Sequence, residues 1–254
     1  MIEGPAIIGY PEASASGLTT SEENEGVLTP SQTLPHLDDG SRLVAELAAA
    51  THPASTRIWD TCAAPGGKTL ILAHRHPTAH LLATDANSRR LQSLGIRLQT
   101  AAPNARALLA DATALPTTEG PFDLILCDVP CSGTGTLSRN PEIRHRLQPS
   151  DLARQSIRQR EILTAALTHL APGGHLLYST CSLEPEENEH VITAVLASTP
   201  GITNPSLEPT LNQLATTGIL QTPPSNLLCN GHLRTLPGAN FQGDGFFAAL
   251  LHRP

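Results

Sequence analysis

From Arg57 onward the chain alternates short apolar runs with amphipathic stretches. Five runs have the length and composition of buried strands: 57–63 (RIWDTCA), 80–86 (HLLATDA), 105–111 (ARALLAD), 122–128 (FDLILCD) and 174–181 (GHLLYSTC). Between them the spacing predicts helices over 67–76, 87–100, 150–170 and 185–198. A further helix is predicted over about 40–50, with Leu43, Val44 and Leu47 as its apolar face. Ser150 is placed to cap the 150–170 helix, and Pro172, Gly173 and Gly174 end it. Strand–helix alternation of this kind predicts an α/β fold, a parallel sheet with helices on both faces. Residues 200–231, rich in Thr, Asn and Pro, read as a long loop beside the functional site. After them, 232–237 and 245–251 read as a closing antiparallel hairpin, for seven strands in all.

Residues 1–30 lack such periodicity and are rich in Gly, Pro, Ser, Thr and Glu. They are expected to form an acidic, loosely ordered arm ahead of one domain at 31–254. No apolar run approaches the ~18 residues of a membrane span, and the start has no signal-peptide h-region. Cysteines at 62, 127, 131, 181 and 229 fit neither a disulfide framework nor zinc knuckles. Free thiols in a reducing cytoplasm, without a metal, are expected. The net charge of −7 argues against a protein that coats nucleic acid electrostatically. Seven of the acidic residues lie within 1–41, however, where there is no Lys or Arg. Residues 139–160 hold Arg139, Arg144, Arg146, Arg154, Arg158 and Arg160, either a phosphate-contacting surface or a solvated helix face.

In open α/β sheets ligands bind at the carboxyl ends of the strands. The first such end is Asp60-Thr-Cys-Ala-Ala-Pro-Gly-Gly-Lys-Thr69, where Gly66 and Gly67 permit close backbone approach and a helix N-terminus follows. The next three strands end in Asp85, Asp111 and Asp128. One or two of these acids could be helix caps. Four together suggest a ligand with several donor groups, and Asp85 is placed to accept the hydroxyls of an adenosine ribose. The stretch from Cys62 to Thr69 also nearly matches the Walker A pattern, so an ATPase is the rival reading. Against it, Cys62 stands where the first glycine belongs, Pro65 removes an amide from the phosphate cradle, and carboxylates would face a polyanion. The cationic sulfonium and amino group of S-adenosylmethionine suit acidic strand ends better.

Cys131 follows the fourth strand in Asp128-Val-Pro-Cys-Ser-Gly-Thr-Gly135, and Cys181 ends the fifth in Tyr178-Ser-Thr-Cys-Ser182. Neighbouring strands would bring both thiols to one rim, whereas Cys62 and Cys127 read as small buried hydrophobes and Cys229 as incidental. Carbon 5 of cytosine is a poor nucleophile until a thiolate adds at carbon 6 and makes it enamine-like. An acid must then engage N3, a role for Asp128 if burial keeps it protonated. A base must later remove the carbon 5 proton, a role open to Cys131. The helix predicted after Cys181 would favour its thiolate. Lys68 is the only lysine, so an ammonium is wanted where the chain otherwise uses arginine.

The segments DTCAAPGGKT, DVPCSGTGTL, YSTCSLEPEENE and GDGFFAALL resemble the Sun (Fmu) family of RNA cytosine-C5 methyltransferases over about residues 25–254. The resemblance implies a Rossmann-like class I methyltransferase fold with S-adenosylmethionine as cofactor. It implies a nucleophile at Cys181 and an aid to product release at Cys131. Implied cofactor contacts fall on Cys62, Ala63, Ala64, Pro65, Gly66, Gly67 and Lys68, and on Asp85, Asp111 and Asp128. Arg144 resembles a family arginine near the site, and Arg139, Arg144 and Arg146 are the expected RNA contacts. The implied substrate is small-subunit rRNA, presented alone or in the ribosomal subunit, with tRNA as the alternative. A DNA cytosine methyltransferase would use the Pro-Cys thiol as nucleophile, and the added Thr-Cys thiol favours RNA. Two features depart from the family. Leu37-Asp38-Asp39-Gly40 stands where the family has Gln-Asp-x-Ser, and the chain is too short for the added RNA-binding domain common in relatives.

Overall fold

The predicted strands form because their side chains alternate between the two faces of the sheet, as strand geometry requires. In the computed structural model, which describes residues 37–254, five of them lie parallel. These are β1 (Arg57–Asp60), β2 (His80–Asp85), β3 (Ala105–Leu109), β4 (Phe122–Asp128) and β5 (Leu170–Thr180). Three more follow: β6 (Leu228–Cys229), β7 (His232–Arg234) and β8 (Phe247–His252). The order is β3-β2-β1-β4-β5-β8-β7-β6, with β8 antiparallel to both β5 and β7. The expected arm at 1–30 and the first residues of the domain lie outside the described part.

Among the described residues there are eight α-helices: α1 (Asp39–Thr51), α2 (Gly67–Arg75), α3 (Ser88–Ala101), α4 (Ile143–Arg146), α5 (Pro149–Thr168), α6 (Glu189–Ser198), α7 (Glu208–Thr216) and α8 (Pro224–Leu227). On one sheet face Ile58, Leu124, Leu126 and Leu177 pack with Leu43 and Leu47 of α1, Leu72 of α2, Leu94 of α3 and Leu211 of α7. On the other, Trp59, Ile125, Cys127 and Tyr178 pack with Ile162 and Leu163 of α5 and Val191 of α6. Helices therefore cover both faces, as expected. Between α1 and α2, the buried Glu46 carboxylate takes two bonds from Arg75, at 2.7 and 2.8 Å.

Several boundaries differ from the sequence reading. The sheet has eight strands, not seven, because two-residue β6 is too short to show alternation. Residues 200–231 are not a loop at the site: α7 packs Leu211 and Leu214 into the core, and Leu214 lies near Glu46 and Ala49 on the far half of α1. Helix α5 is capped by Gln148, not Ser150, through a reciprocal box with Asp151. The helix expected from 185 opens as a 3-10 turn over Pro185–Glu187, and α6 itself begins at Glu189. The chain leaves β1 for β2 and β3 and then returns to β4, so the topological switch point falls between the ends of β1 and β4. A ligand cleft belongs there.

Candidate active site

A cavity of about 360 Å³ opens at that switch point. It is walled by Asp60 and Asp128 from the two strand ends, by the loop from Cys62 to Lys68, and by Asp38 and Ser41 at the start of α1. The loop's turn depends on Gly66, whose φ of 102° lies in the left-handed region that side chains disfavour. A larger cavity of about 420 Å³ lies at the other end of the strands, around Arg57, His80 and Arg106. There Glu119 already engages both arginines, and no strand carboxyl end reaches it.

Asp60 is buried, with its Oδ2 accepting the Thr69 hydroxyl at 2.7 Å. Burial, reinforced by the nearby Asp128 carboxylate, raises its pKa to about 7. The cavity floor therefore holds a carboxyl group that would gain from an incoming cation. Lys68 reaches Asp128 at 2.8 Å and Ser41 Oγ at 3.4 Å, and it sits 5.5 Å from the centre of the Phe246 ring. Burial works against its charge, but the Asp128 carboxylate outweighs that and holds the Lys68 pKa above its ordinary value. Asp128 also accepts the Ser179 hydroxyl at 2.7 Å. Asp128 is thus half of an ion pair, whereas its expected role as the acid at N3 is conditional on burial keeping it protonated.

The two thiols meet. Cys131 Sγ and Cys181 Sγ are 3.3 Å apart, brought together because β4 and β5 are adjacent and parallel. The hydrogen bond to the Cys181 sulfur, then burial, then the charges of Cys181 and Glu187 push the Cys131 thiol well above its ordinary value. Cys131 is therefore protonated near neutral pH and can donate to the Cys181 sulfur. The hydrogen-bonding neighbour of that sulfur is the other thiol, and the helix that follows in sequence, α6, begins only at Glu189, after the 3-10 turn at Pro185–Glu187. Burial pushes the Cys62 thiol up to about 12 and the Cys127 thiol well above its ordinary value; Cys127 lies in the core, whereas Cys62 is half-buried at the cavity wall. Cys229 is exposed on β6.

Of the four strand-end acids, Asp60 and Asp128 line the cavity. Asp85 is buried at the end of β2, between β3 and β1, and accepts two bonds from Arg90, at 2.8 and 3.0 Å, and one from the Asn87 amide. Asp111 lies beyond the end of β3, caps a 3-10 turn and pairs with Arg158 at 2.5 Å. Among the arginines, Arg139 is committed to Asp244 and faces Asp38 at 4.0 Å. Arg144 and Arg146 are exposed on α4, whose Ile143 packs beside Gly133 in the Cys131 loop. Sequence reading passed over Glu187, Gln159 and Asn188, which are fully buried beneath the thiols. A run of acidic residues ahead of a helix looks like a solvated cap, so nothing in the local sequence marked Glu187 and Asn188, or Gln159 on α5.

A family model described as 16S rRNA methyltransferase RsmB/F matches residues 48–252. A ribosomal RNA small subunit methyltransferase B from Cronobacter sakazakii is 40% identical over 197 residues, covering 76% of this chain and 41% of that protein. Its counterpart from Xanthomonas campestris is 36% identical over 219 residues, 85% of this chain and 46% of the relative. Among solved structures, NSun6 from Pyrococcus horikoshii with SFG superposes with a TM-score of 0.66 at 25% identity, covering 83% of this chain and 51% of that one. A methyltransferase homolog protein from Pyrococcus horikoshii gives a TM-score of 0.66 at 28% identity, covering 86% and 67%. The chain spans less than half the length of the curated relatives it matches. It belongs to the RsmB/F family of 16S rRNA methyltransferases.

Proposed function

We propose that this chain transfers a methyl group from S-adenosylmethionine to carbon 5 of a cytosine in RNA, with small-subunit rRNA as the substrate. The observation that carries this reading is the 3.3 Å approach of Cys131 and Cys181, with Cys181 in electrostatic reach of Lys68, whose pair with Asp128 lines the acidic cavity. The cavity residues fit the cofactor's chemistry, since the buried Asp60 carboxyl, its pKa raised to about 7, would gain from a bound cation. Bound there, S-adenosylmethionine supplies an electrophilic methyl on a positively charged sulfur. The loop from Cys62 to Lys68 and Asp60 would hold it. Asp85 could serve its ribose by giving up one Arg90 bond, while Asp111, committed to its cap and to Arg158, is left out of the set.

The Cys181 thiolate adds to carbon 6 of the cytosine, and the pair of the carbon 5–carbon 6 double bond moves to carbon 5, the atom that would accept the methyl group. Lys68, hydrogen-bonded to Asp128, is the ammonium that can meet N3 and the charge developing on the ring. Once the Cys181 sulfur is bonded to carbon, the largest influence holding the Cys131 proton disappears. Cys131 can then release that proton to solvent and accept the one on carbon 5. The electron pair from the carbon 5–hydrogen bond reforms the ring double bond and expels the Cys181 thiolate. Because only a base out of its stack can reach the thiol, the target cytosine lies in a loop or an opened helix. Arg144 and Arg146, exposed beside the Cys131 loop, are the proposed phosphate contacts. A polyphosphate ligand fits poorly, since Asp38, Asp60 and Asp128 face the cavity. Among the described residues no helix is long and apolar enough to cross a membrane. The free thiols suit a reducing cytoplasm.

The test is methyl transfer from labelled S-adenosylmethionine to four acceptors at equal concentration: small-subunit rRNA, small-subunit particles, tRNA and duplex DNA. Label in rRNA or particles, recovered as 5-methylcytosine, is the expected result. Label confined to tRNA would overturn the substrate, and label in DNA or at another atom would overturn the reaction.

A further inference from the structure

The two catalytic turns rest on one buried dipeptide, Glu187-Asn188. On the Cys131 side, the Glu187 carboxylate accepts the Ser132 amide at 2.9 Å and the Ser132 hydroxyl. Gln159 then donates one bond to Glu187 and another to the Pro130 carbonyl, both at 2.9 Å. The peptide groups before and after Cys131 are therefore held by the same buried Glu187–Gln159 pair. On the Cys181 side, Asn188 accepts the Thr180 hydroxyl at 2.6 Å and donates to the Ser182 carbonyl at 2.9 Å. The residues flanking Cys181 are thus held by Asn188. The dipeptide is itself anchored, since the Tyr178 hydroxyl donates to the Glu187 carbonyl at 2.7 Å. Glu187, Asn188 and Gln159 are all fully buried. A carboxylate in that position is costly unless its bonds are used, and here three donors use it.

Neither side chain has a bond to a thiol, so neither is catalytic. We infer that Glu187 and Asn188 are positioning residues with separate duties: Glu187, through Gln159, aims Cys131 for product release, and Asn188 aims Cys181 for addition. A general packing role would damage both steps together. Separate braces predict that neighbouring buried residues give opposite kinetic signatures. The inference rests on the thiol roles proposed above, so its test carries Cys131→Ala as a reference.

Wild type, Cys131→Ala, Glu187→Gln and Asn188→Ala are incubated with a small-subunit rRNA transcript and S-adenosylmethionine, and denaturant-resistant protein–RNA complex is followed over time. Melting curves and cofactor affinity are measured for each variant as controls on folding. Glu187→Gln keeps the shape but loses one acceptor oxygen. It is expected to form the complex at the wild-type rate and release it at least tenfold more slowly, approaching Cys131→Ala. Asn188→Ala is expected to form at least tenfold less complex, with no accumulation. If Cys131→Ala accumulates complex but Glu187→Gln releases as wild type does, the inference is overturned. It is also overturned if both folded variants lose addition and release in equal measure. If Cys131→Ala itself accumulates nothing, the thiol roles fail first. Should Glu187→Gln not fold, Gln159→Leu removes the brace from the Pro130 side, and wild-type release there overturns the inference too.

Discussion

Replacing Asp60 by Asn should stabilise the free protein, and by more at high pH than at low. Asp60 has an ordinary value of 3.8 but titrates near 7 in the folded chain. A raised carboxyl contributes stability that is complete below 3.8 and is lost as pH rises through 7, because the unfolded chain ionises first. Each pH unit between those values corresponds to ~1.4 kcal/mol. At pH 5 the folded chain thus carries a penalty of ~2 kcal/mol at this residue, and above pH 7 the penalty levels off at ~4 kcal/mol. Asparagine keeps an acceptor for the Thr69 hydroxyl and has no charge to bury. Asp60→Asn should therefore raise the unfolding free energy by ~2–3 kcal/mol more at pH 8 than at pH 5, measured by urea denaturation without cofactor. The same charge should repay its cost when a cation binds. Wild-type affinity for S-adenosylmethionine should rise as pH increases toward 7 and then flatten, whereas the variant should bind at least tenfold more weakly at pH 8 and show no such rise. An equal stability gain at both pH values, or an unchanged affinity at pH 8, would refute the reasoning that this carboxylate is held in reserve for a cation.

Three further outcomes follow from the geometry. A Cβ at Gly135 would lie 2.2 Å from the Gly245 carbonyl oxygen and 2.9 Å from that of Cys181. Gly135→Ala should cost about 3 kcal/mol in denaturant unfolding and disturb the thiol spacing; a cost below ~0.5 kcal/mol would mean the backbone gives way freely. Arg75→Met leaves the Glu46 carboxylate buried without its main partner and should cost ~3 kcal/mol, while the double change Glu46→Met with Arg75→Met should recover most of it. Changing Arg144 and Arg146 together to Ala should lower the slope of log affinity against log salt by ~1.4 for single-stranded RNA; an unchanged slope would place the phosphate contacts elsewhere.

Much of this was legible in the sequence, for identifiable reasons. Apolar runs bounded by Asp60, Asp85 and Asp128 marked strand ends, and the strand ends marked the cleft. The Pro-Cys and Thr-Cys pairs lay at the ends of consecutive strands, so adjacency of β4 and β5 sufficed to bring the sulfurs together. What stayed hidden was the use of charge. Whether a strand-end carboxylate faces a ligand or a neighbour depends on side chains from other elements. Asp111 was spent on Arg158 and Asp85 on Arg90, while Asp128 found Lys68. Arg139, chosen for RNA, was taken by Asp244, 105 residues away. The helix at α7 was readable from the spacing of Leu207, Leu211 and Leu214, but Pro and Thr composition obscured it. Glu187 shows the limit most clearly, since nothing local separates a buried carboxylate from a solvated one.

Locating the covalent bond tests the thiol assignment most directly. The complex formed by Cys131→Ala with small-subunit rRNA and S-adenosylmethionine is digested with nuclease and protease, and the peptides are mapped by mass spectrometry. The proposed thiol roles predict a methylated cytosine nucleotide on the peptide containing Cys181, and no complex from Cys181→Ala. A nucleotide on any other peptide, or a stable complex from Cys181→Ala with none from Cys131→Ala, would contradict them.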